Sequence, residues 1–220
     1  MTLVIAAFDA EQGLLASEGR VSHVDGAGKV HTQREDFWKH LQLDRDTAFA
    51  AAGAGQRVVP ALQLARDIGE AFHGRCTDLG GALTEFFARF VARAPRELPD
   101  SPVPIEIVVL YKDSAGQVKC GLVVSGRKPE TFQVSRGAGP QYLIFSPCDS
   151  TSNFVRARLQ ARLPRIFHMK SQEDFAGSAI MAIGAIVREA AEKDSRINGA
   201  ARFAVLGADP DLPTSQLTEI

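Results

Sequence analysis

Apolar positions that alternate with polar ones, between clusters of turn residues, characterise the first quarter of the chain. They predict strands over 2–9 and 13–21, joined by a turn at 10–12. A second strand pair is predicted over 36–43 and 48–53. Each pair is expected to fold as a hairpin, which brings residues far apart in sequence side by side.

Helical and extended patterns follow each other along the rest of the chain. Apolar residues recur at helical spacing over 56–74, 78–93, 153–163 and 171–193. Short apolar runs predict further strands over 105–112, 117–125, 131–134, 141–146 and 202–206, and 94–104 is predicted as a proline-rich connector. This order predicts an α+β protein with face-to-face sheets and helices outside them, in a single domain spanning 1–220.

The residue with the clearest chemical potential is Thr2, which stands just before the first predicted strand. Methionine aminopeptidases remove Met1 when the second side chain is small. The mature chain would then carry a hydroxyl and a free α-amine on adjacent carbons, so that a nucleophile and its general base lie in one residue. Many chains begin with Met-Thr without such a role, so support must come from the rest of the sequence.

The predicted hairpins bring charged and small residues towards this chain end. Glu18 and Arg20 share one strand face and fall opposite Thr2. Lys39 interrupts an apolar strand face, which indicates either a buried, paired lysine or an edge lysine whose stem reaches solvent. Gly53 falls near Lys39, where its backbone N–H suits an oxyanion donor or a plain strand-to-helix turn.

Composition excludes several classes of function. The chain has 220 residues, 45% of them hydrophobic, which is enough for a substantial core. A formal net charge of -1 gives no general attraction to nucleic acid or anionic membranes, and no apolar run reaches membrane-spanning length. Cys76, Cys120 and Cys148 have neither disulfide nor zinc spacing. Residues 1–8 lack the basic start of a secretion signal. The cysteine spacing, the absence of a membrane-spanning run and this chain start together predict a cytoplasmic protein.

Two further sets of polar residues carry less information. The histidines at 23, 31, 40, 73 and 168 have no ligand spacing, so no metal site is predicted. Arginines at 156, 158, 162 and 165 indicate either a surface for an acidic partner or a solvated helix face.

The pattern of Thr2, the segment 13–20, Lys39 and Gly53 resembles proteasome β-subunits and their bacterial relatives. The spacing from threonine to acid and from lysine to glycine matches, although the loop between Arg20 and Lys39 is several residues longer here. The segments 142–145 with 149–152, and 193–199 with 202–206, also resemble that family. Among its bacterial branches, the chain looks less like HslV than like the Anbu or betaproteobacterial proteasome-homologue groups.

The resemblance implies a four-layer αββα sandwich of the N-terminal nucleophile hydrolase type, acting as a threonine peptidase. The catalytic residues it implies are Thr2, Glu18, Lys39, Gly53, Ser150 and Asp194. The substrate-binding positions it implies are Val21, Ser22, Phe37, Ala51, Gly55 and Val59. The small residues among them predict a roomy pocket and cleavage after large apolar residues.

Two positions depart from the family pattern. A serine that supports the N-terminal amine follows the family's aspartate by three residues, and Ile197 stands there in this chain. The Ser-Gly of an earlier loop is replaced by Ser150-Thr151. The hydroxyl that supports the amine is therefore missing or comes from Ser195.

The resemblance also implies how the protein assembles. Identical subunits would form a double-ring homo-oligomer that degrades unfolded peptides, with a tetradecamer favoured over a dodecamer and an ATP-dependent unfoldase as a candidate partner. No cofactor is implied. Two alternatives remain open: a catalytically inactive ring protein that retains Met1, and an N-terminal nucleophile amidase acting on small molecules.

Overall fold

The computed structural model describes residues 3–24, 27, 29–34, 39–53, 55–72, 79–98, 100, 104–113, 115–124, 127–169 and 171–207. Within these ranges it has eleven strands and four helices. The strands are β1 (Val4–Phe8), β2 (Gly13–Glu18), β3 (Val21–Val24), β4 (Val30–Arg34), β5 (His40–Asp44), β6 (Thr47–Ala52), β7 (Glu106–Lys112), β8 (Val118–Val124), β9 (Glu130–Gln133), β10 (Gln141–Phe145) and β11 (Ala201–Val205). The helices are α1 (Gly55–Phe72), α2 (Leu79–Glu97), α3 (Asp149–Ile166) and α4 (Gln172–Lys193).

The strands form two main antiparallel sheets and one separate hairpin. The first sheet has the order β10-β1-β2-β11 and the second β5-β6-β7-β8-β9, while β3 pairs with β4. In the first sheet Val4 lies opposite both Phe145 and Ser17, and Ala201 lies opposite Glu18. The beginnings of β1 and β11 and the ends of β2 and β10 therefore meet at one end of that sheet.

Helices α3 and α4 pack against the first sheet. Val155 and Phe175 from these helices share a buried cluster with Leu3 and Ile5 at the start of the chain. Arg158 and Arg162 pair with Glu189 across the two helices, at 3.0 and 2.6 Å. For these two arginines, the contact favours the helix-face interpretation over a surface for an acidic partner.

Helices α1 and α2 pack against the second sheet, and a further cluster joins the two sheets. Phe86 of α2 stacks on Phe49 of β6 with ring centroids 5.2 Å apart. The joining cluster combines Ala6 from the first sheet with Ala50 and Val108 from the second. The predicted mixed fold, with sheets covered by helices, is confirmed.

Element boundaries differ from the predictions where burial outweighs local pattern. Helix α2 continues to Glu97, through the start of the predicted connector, because Ala94 and Leu98 are buried against the α1–α2 core. Helix α3 begins at Asp149 rather than 153, since its polar first turn contributes the buried Thr151 and shows no apolar periodicity.

The β3–β4 hairpin replaces the end of the predicted strand 13–21 and the loop expected after it. The sequence there lacks a run of apolar residues, so no strand pattern predicts this hairpin. Positions 36–38 of the predicted strand 36–43 lie outside the described residues, and β5 begins at His40. Of the helices in the described ranges, none combines the length and the hydrophobicity that a bilayer span requires.

Candidate active site

Two polar clusters, one fully and one partly buried, lie where the ends of β1, β2, β10 and β11 meet. The first surrounds Lys39 and Glu18, which are 2% and 0% exposed. Lys39 Nζ donates to the Glu18 carboxylate, to the Glu18 backbone oxygen at 3.1 Å and to the Arg20 backbone oxygen at 2.7 Å. The open question about Lys39 is thereby settled: it is a buried, paired lysine.

The carboxylate of Glu18 also holds the backbone on both sides of it. Its Oε1 accepts a hydrogen bond from the Leu3 N–H at 3.2 Å, and its Oε2 accepts one from the Arg20 N–H at 2.6 Å. Leu3 directly follows Thr2, so the ion pair fixes the first described residue after the predicted nucleophile. Burial lowers the pKa of Lys39, while the charge of Glu18 and the hydrogen bond to it act in the opposite direction.

Strand β6 positions Lys39 and leads to Gly53. The Ala51 N–H donates to the Lys39 backbone oxygen at 2.8 Å. Two residues later, Gly53 has a φ of +142°, which residues with a side chain rarely adopt. A Cβ at this position would lie 2.7 Å from the Pro104 carbonyl oxygen. Glycine is thus required here for steric reasons, whether or not its N–H serves as an oxyanion donor.

The second cluster contains Asp194, Arg196, Thr151 and Cys148. Arg196 donates from Nε to Asp194 Oδ1 at 2.7 Å and from Nη2 to Asp194 Oδ2 at 2.8 Å. Thr151 Oγ1 donates to Asp194 Oδ2 at 2.7 Å. The Cys148 thiol lies 2.9 Å from Arg196 Nη2 and 3.8 Å from Asp194 Oδ2. One carboxylate is thus bound by a guanidinium, a hydroxyl and a thiol.

This environment shifts two ionisation equilibria. Burial acts to raise the pKa of Asp194, but hydrogen bonds from Arg196 and Thr151 outweigh it and hold the pKa at about 2. Hydrogen bonds from Ser150 and Thr151, and a further one from Arg196, lower the pKa of the Cys148 thiol to about 7. Near neutral pH the cluster therefore holds an ionised carboxylate and a thiol close to its midpoint of ionisation.

Two hydrogen bonds join the clusters into one site. Arg20 Nη1 donates to the Ser195 backbone oxygen at 2.5 Å, and the Gly19 N–H donates to Asn198 Oδ1 at 3.1 Å. The end of β2, which carries Glu18, is thereby tied to the loop that carries Asp194.

Apart from Gly53, the predicted catalytic residues divide into three groups. Glu18 and Lys39 are in direct contact, and Asp194 belongs to the neighbouring cluster. The Ser150 hydroxyl lies 3.1 Å from the Cys148 thiol. The groups at the start of α3 that contact Asp194 are instead the Thr151 hydroxyl and the Cys148 thiol. Thr2 lies outside the described residues.

Five of the six positions predicted to bind substrate lie in β3, β6 and α1. Ala51 of β6 is fully buried in the cluster that includes α1, and Val59 on α1 is half exposed. Val21 and Ser22 lie in β3, and Gly55 opens α1. Phe37 lies outside the described residues.

The departures from the family pattern have a clear local structure. Ile197 is 1% exposed and packs in the core cluster of α3 and α4, so no polar group stands there. Ser195 is exposed, and its backbone oxygen accepts the hydrogen bond from Arg20. Arg196 lies between Ser195 and Ile197 in the sequence, and its guanidinium is the group from this segment that binds the Asp194 carboxylate.

Sequence reasoning missed three members of this site, namely Cys148, Thr151 and Arg196. One signal was available: polar residues follow directly on the apolar run of β10, where a strand passes into a helix. Among the described residues, no group of three or more acidic, histidine or cysteine side chains has an arrangement that could hold a metal ion.

Comparison with known proteins identifies the fold. No family model and no curated protein matches the sequence. Among solved structures, the chain is similar to eukaryotic HslV from Trypanosoma brucei, with a TM-score of 0.56 over 92% of this chain and 98% of that one. Sequence identity is 14%, so the similarity shows an HslV-like fold. The predicted resemblance is confirmed at the level of the fold, and the closer likeness to other bacterial branches stays a prediction.

Proposed function

We propose that this chain is the subunit of a self-compartmentalising threonine endopeptidase, active after removal of Met1. The observation that carries the proposal is the buried Lys39–Glu18 pair, whose carboxylate also binds the backbone N–H of Leu3. A buried ion pair is rarely a good source of stability. Its connection to Leu3, the residue after Thr2, supports a catalytic role, in which the pair would hold a fixed positive charge beside the proposed nucleophile.

The proposed chemistry is acyl transfer. Thr2 Oγ attacks the peptide carbonyl carbon while the Thr2 α-amine accepts the hydroxyl proton, through a water. The tetrahedral intermediate expels the leaving amine, which takes up that proton, and an ester joins Thr2 to the acyl group. Water then hydrolyses the ester, releases the carboxylic acid and restores the threonine hydroxyl.

Each neighbouring group has a proposed part in this reaction. Lys39 favours the neutral amine and the developing alkoxide through its charge, and Glu18 fixes the position of Lys39. The Gly53 N–H donates to the oxyanion, a contribution of roughly 3 kcal/mol for one such donor. Asp194 orients the α-amine, with Ser150 as the resemblance implies. The contacts of Asp194 add the Cys148 thiol to this group.

The remaining proposals concern architecture and substrate. They are a four-layer αββα arrangement in one domain, a cytoplasmic double ring of identical subunits, and unfolded peptides as substrates, supplied by an ATP-dependent unfoldase. Substrate would pair with the backbone at Ser22 and Ala51 as an added strand. Cleavage is expected after large apolar residues, whose pocket would be lined by Val21, Phe37, Ala51, Gly55 and Val59.

Two observations favour a second candidate, an inactive ring protein that retains Met1. Arg196 already binds both oxygens of Asp194. The Ile197 position offers no hydroxyl for an α-amine. Both features suit a site in which this carboxylate has a structural role only.

Intact mass measured before and after incubation with a peptide epoxyketone separates the two candidates. This reagent closes a ring with a threonine hydroxyl and its free α-amine, so it reports both groups together. We expect loss of Met1 and one adduct per chain, no adduct in Thr2→Ala, and slower adduct formation in Lys39→Met. Retained Met1 without an adduct would refute the active peptidase and leave the inactive protein as the candidate. An adduct without peptide cleavage would point to a small-molecule amidase.

A further inference from the structure

His40 is a partly buried titratable residue that the proposed reaction does not use. It opens β5, next to Lys39, and its Nδ1 lies 2.8 Å from Ser17 Oγ. Ser17 is 1% exposed and belongs to β2, directly before Glu18. The same Ser17 oxygen lies 3.3 Å from the Lys39 backbone nitrogen. Ser17 therefore stands between the imidazole and the backbone of the lysine.

The direction of these hydrogen bonds follows from the groups involved. A backbone N–H can only donate, so Ser17 Oγ is the acceptor for Lys39. The single hydroxyl proton of Ser17 is then available for His40 Nδ1, which must be unprotonated to accept it. In that arrangement the ring proton is on Nε2, and the imidazole also has a hydrogen bond with the backbone of Phe203.

The surroundings of His40 keep the ring neutral. Burial and the charge of Arg202 on β11 lower the pKa of His40 to about 4, against the hydrogen bond with the Phe203 backbone. A neutral ring with one fixed tautomer is what the direction of the Ser17 hydrogen bond requires.

We propose that His40 and Ser17 form a positioning pair. By holding the backbone N–H of Lys39, the pair determines where the ammonium group of that lysine lies. Lys39 is otherwise held through its side chain by Glu18 and Arg20 and through its carbonyl by Ala51. The Ser17 hydroxyl is the described contact that fixes its N–H, at the point where β5 begins.

The chain offers a matched set of variants. In His40→Asn, the amide oxygen can take the place of Nδ1 and retain the Ser17 contact. In His40→Gln, the longer side chain reaches towards Phe203 and loses the Ser17 contact. Ser17→Ala removes the hydroxyl itself and leaves the imidazole in place.

The first measurement does not depend on catalysis. Lysines of the assembled protein are acetylated with acetic anhydride and quantified by peptide mass spectrometry, with the more exposed Lys119 as the internal reference. We expect Lys39 acetylation to rise about fivefold or more in Ser17→Ala and His40→Gln, with His40→Asn close to wild type, as fits a lysine displaced from its partners. Unchanged protection of Lys39 in both Ser17→Ala and His40→Gln would overturn the proposal, and so would equal exposure in all three variants.

The second measurement rests on the proposed peptidase function. The pH dependence of kcat/KM is measured for a fluorogenic peptide, with the active fraction determined by epoxyketone titration. A displaced Lys39 no longer lowers the pKa of the Thr2 amine, so the acid limb should move up by about 0.5–1 pH unit in His40→Gln and Ser17→Ala. A loss of folded protein lowers the active fraction but leaves the limb in place. Absence of cleavage by the wild type would refute the peptidase function, while the acetylation result would still decide the role of His40.

Discussion

The thiol of Cys148 and the guanidinium of Arg196 are in direct contact, with Sγ 2.9 Å from Nη2. The two residues are 48 positions apart in the sequence. Cys148 lies just before α3, and Arg196 lies just after α4. Hydrogen bonds with Ser150 and Thr151, together with this contact, make Cys148 chemically different from Cys120, which is fully buried in the core between the sheets. Burial raises the pKa of the Cys120 thiol, whereas hydrogen bonds lower that of Cys148.

Thiolate absorbance in the ultraviolet should therefore titrate with a midpoint of about 7 in the folded protein. Arg196→Gln removes a cation and weakens a donor, so we expect it to move the midpoint upwards by about one unit. Cys148→Ser identifies the signal, because it should abolish this transition and leave any other thiol unchanged. A midpoint in Arg196→Gln equal to that of the wild type would show that Arg196 has no influence on the thiol.

Replacement of Lys39 by methionine should destabilise the fold strongly. The variant leaves the Glu18 carboxylate buried without its cation, and removal of one partner from a buried ion pair costs about 3–5 kcal/mol. Chemical denaturation of Lys39→Met measures the loss. The double variant Glu18→Gln with Lys39→Met removes the unpaired charge and should recover part of it. Equal stability of the double and single variants would mean that the charge of Glu18 is compensated by the Leu3 and Arg20 N–H groups alone.

The first half of this site could be predicted from sequence because it depends on hairpins. Strand alternation and short turns place Glu18 near the chain start and Lys39 near β6, and both relationships follow from local patterns. The four-helix, two-sheet composition followed from apolar periodicity in the same way. These signals are local, so a single sequence contains them.

The second half depends on contacts between distant segments. Thr151 and Asp194 are 43 residues apart, and their hydrogen bond exists because β10 ends and β11 begins at the same end of one sheet, although the two are its opposite edge strands. Strand order is not encoded in any short pattern, so the sequence did not place Cys148 and Thr151 beside Asp194, and Ser150 was implied by the family resemblance alone. The β3–β4 hairpin was missed for a different reason, since its sequence has no run of apolar residues.

The low pKa of His40 predicts a stability loss in mild acid. The folded pKa of about 4 lies below the usual 6.5, so between these values the unfolded chain binds a proton that the folded protein does not. Stability contributed by the neutral ring is therefore complete above pH 6.5 and declines as the pH falls towards 4. The slope is about 1.4 kcal/mol per pH unit, which amounts to roughly 3 kcal/mol across the window.

Urea denaturation at intervals from pH 8 to pH 4 measures this dependence, and His40→Asn is the control. The variant has no titrating group at this position but keeps every carboxylate, so the difference between the two curves isolates the histidine. We expect the curves to diverge below about pH 6.5, with the wild type the steeper. Parallel curves throughout would mean that His40 ionises as easily in the folded as in the unfolded chain.

Gly53 provides a test of backbone geometry that is separate from the chemistry. Gly53→Ala has to accommodate both a φ of +142° and a Cβ placed 2.7 Å from the Pro104 oxygen. Strained backbone and steric overlap each cost about 1–3 kcal/mol, so a loss of about 2–6 kcal/mol in the free energy of unfolding is expected. Gly116→Ala is the matched control, because Gly116 has a positive φ of +74° but no atom within 4 Å of the added carbon. It should lose only about 1 kcal/mol, the part due to backbone conformation. If both variants lose the same amount, the Pro104 carbonyl yields without resistance, and the steric reason for a glycine at the end of β6 is wrong.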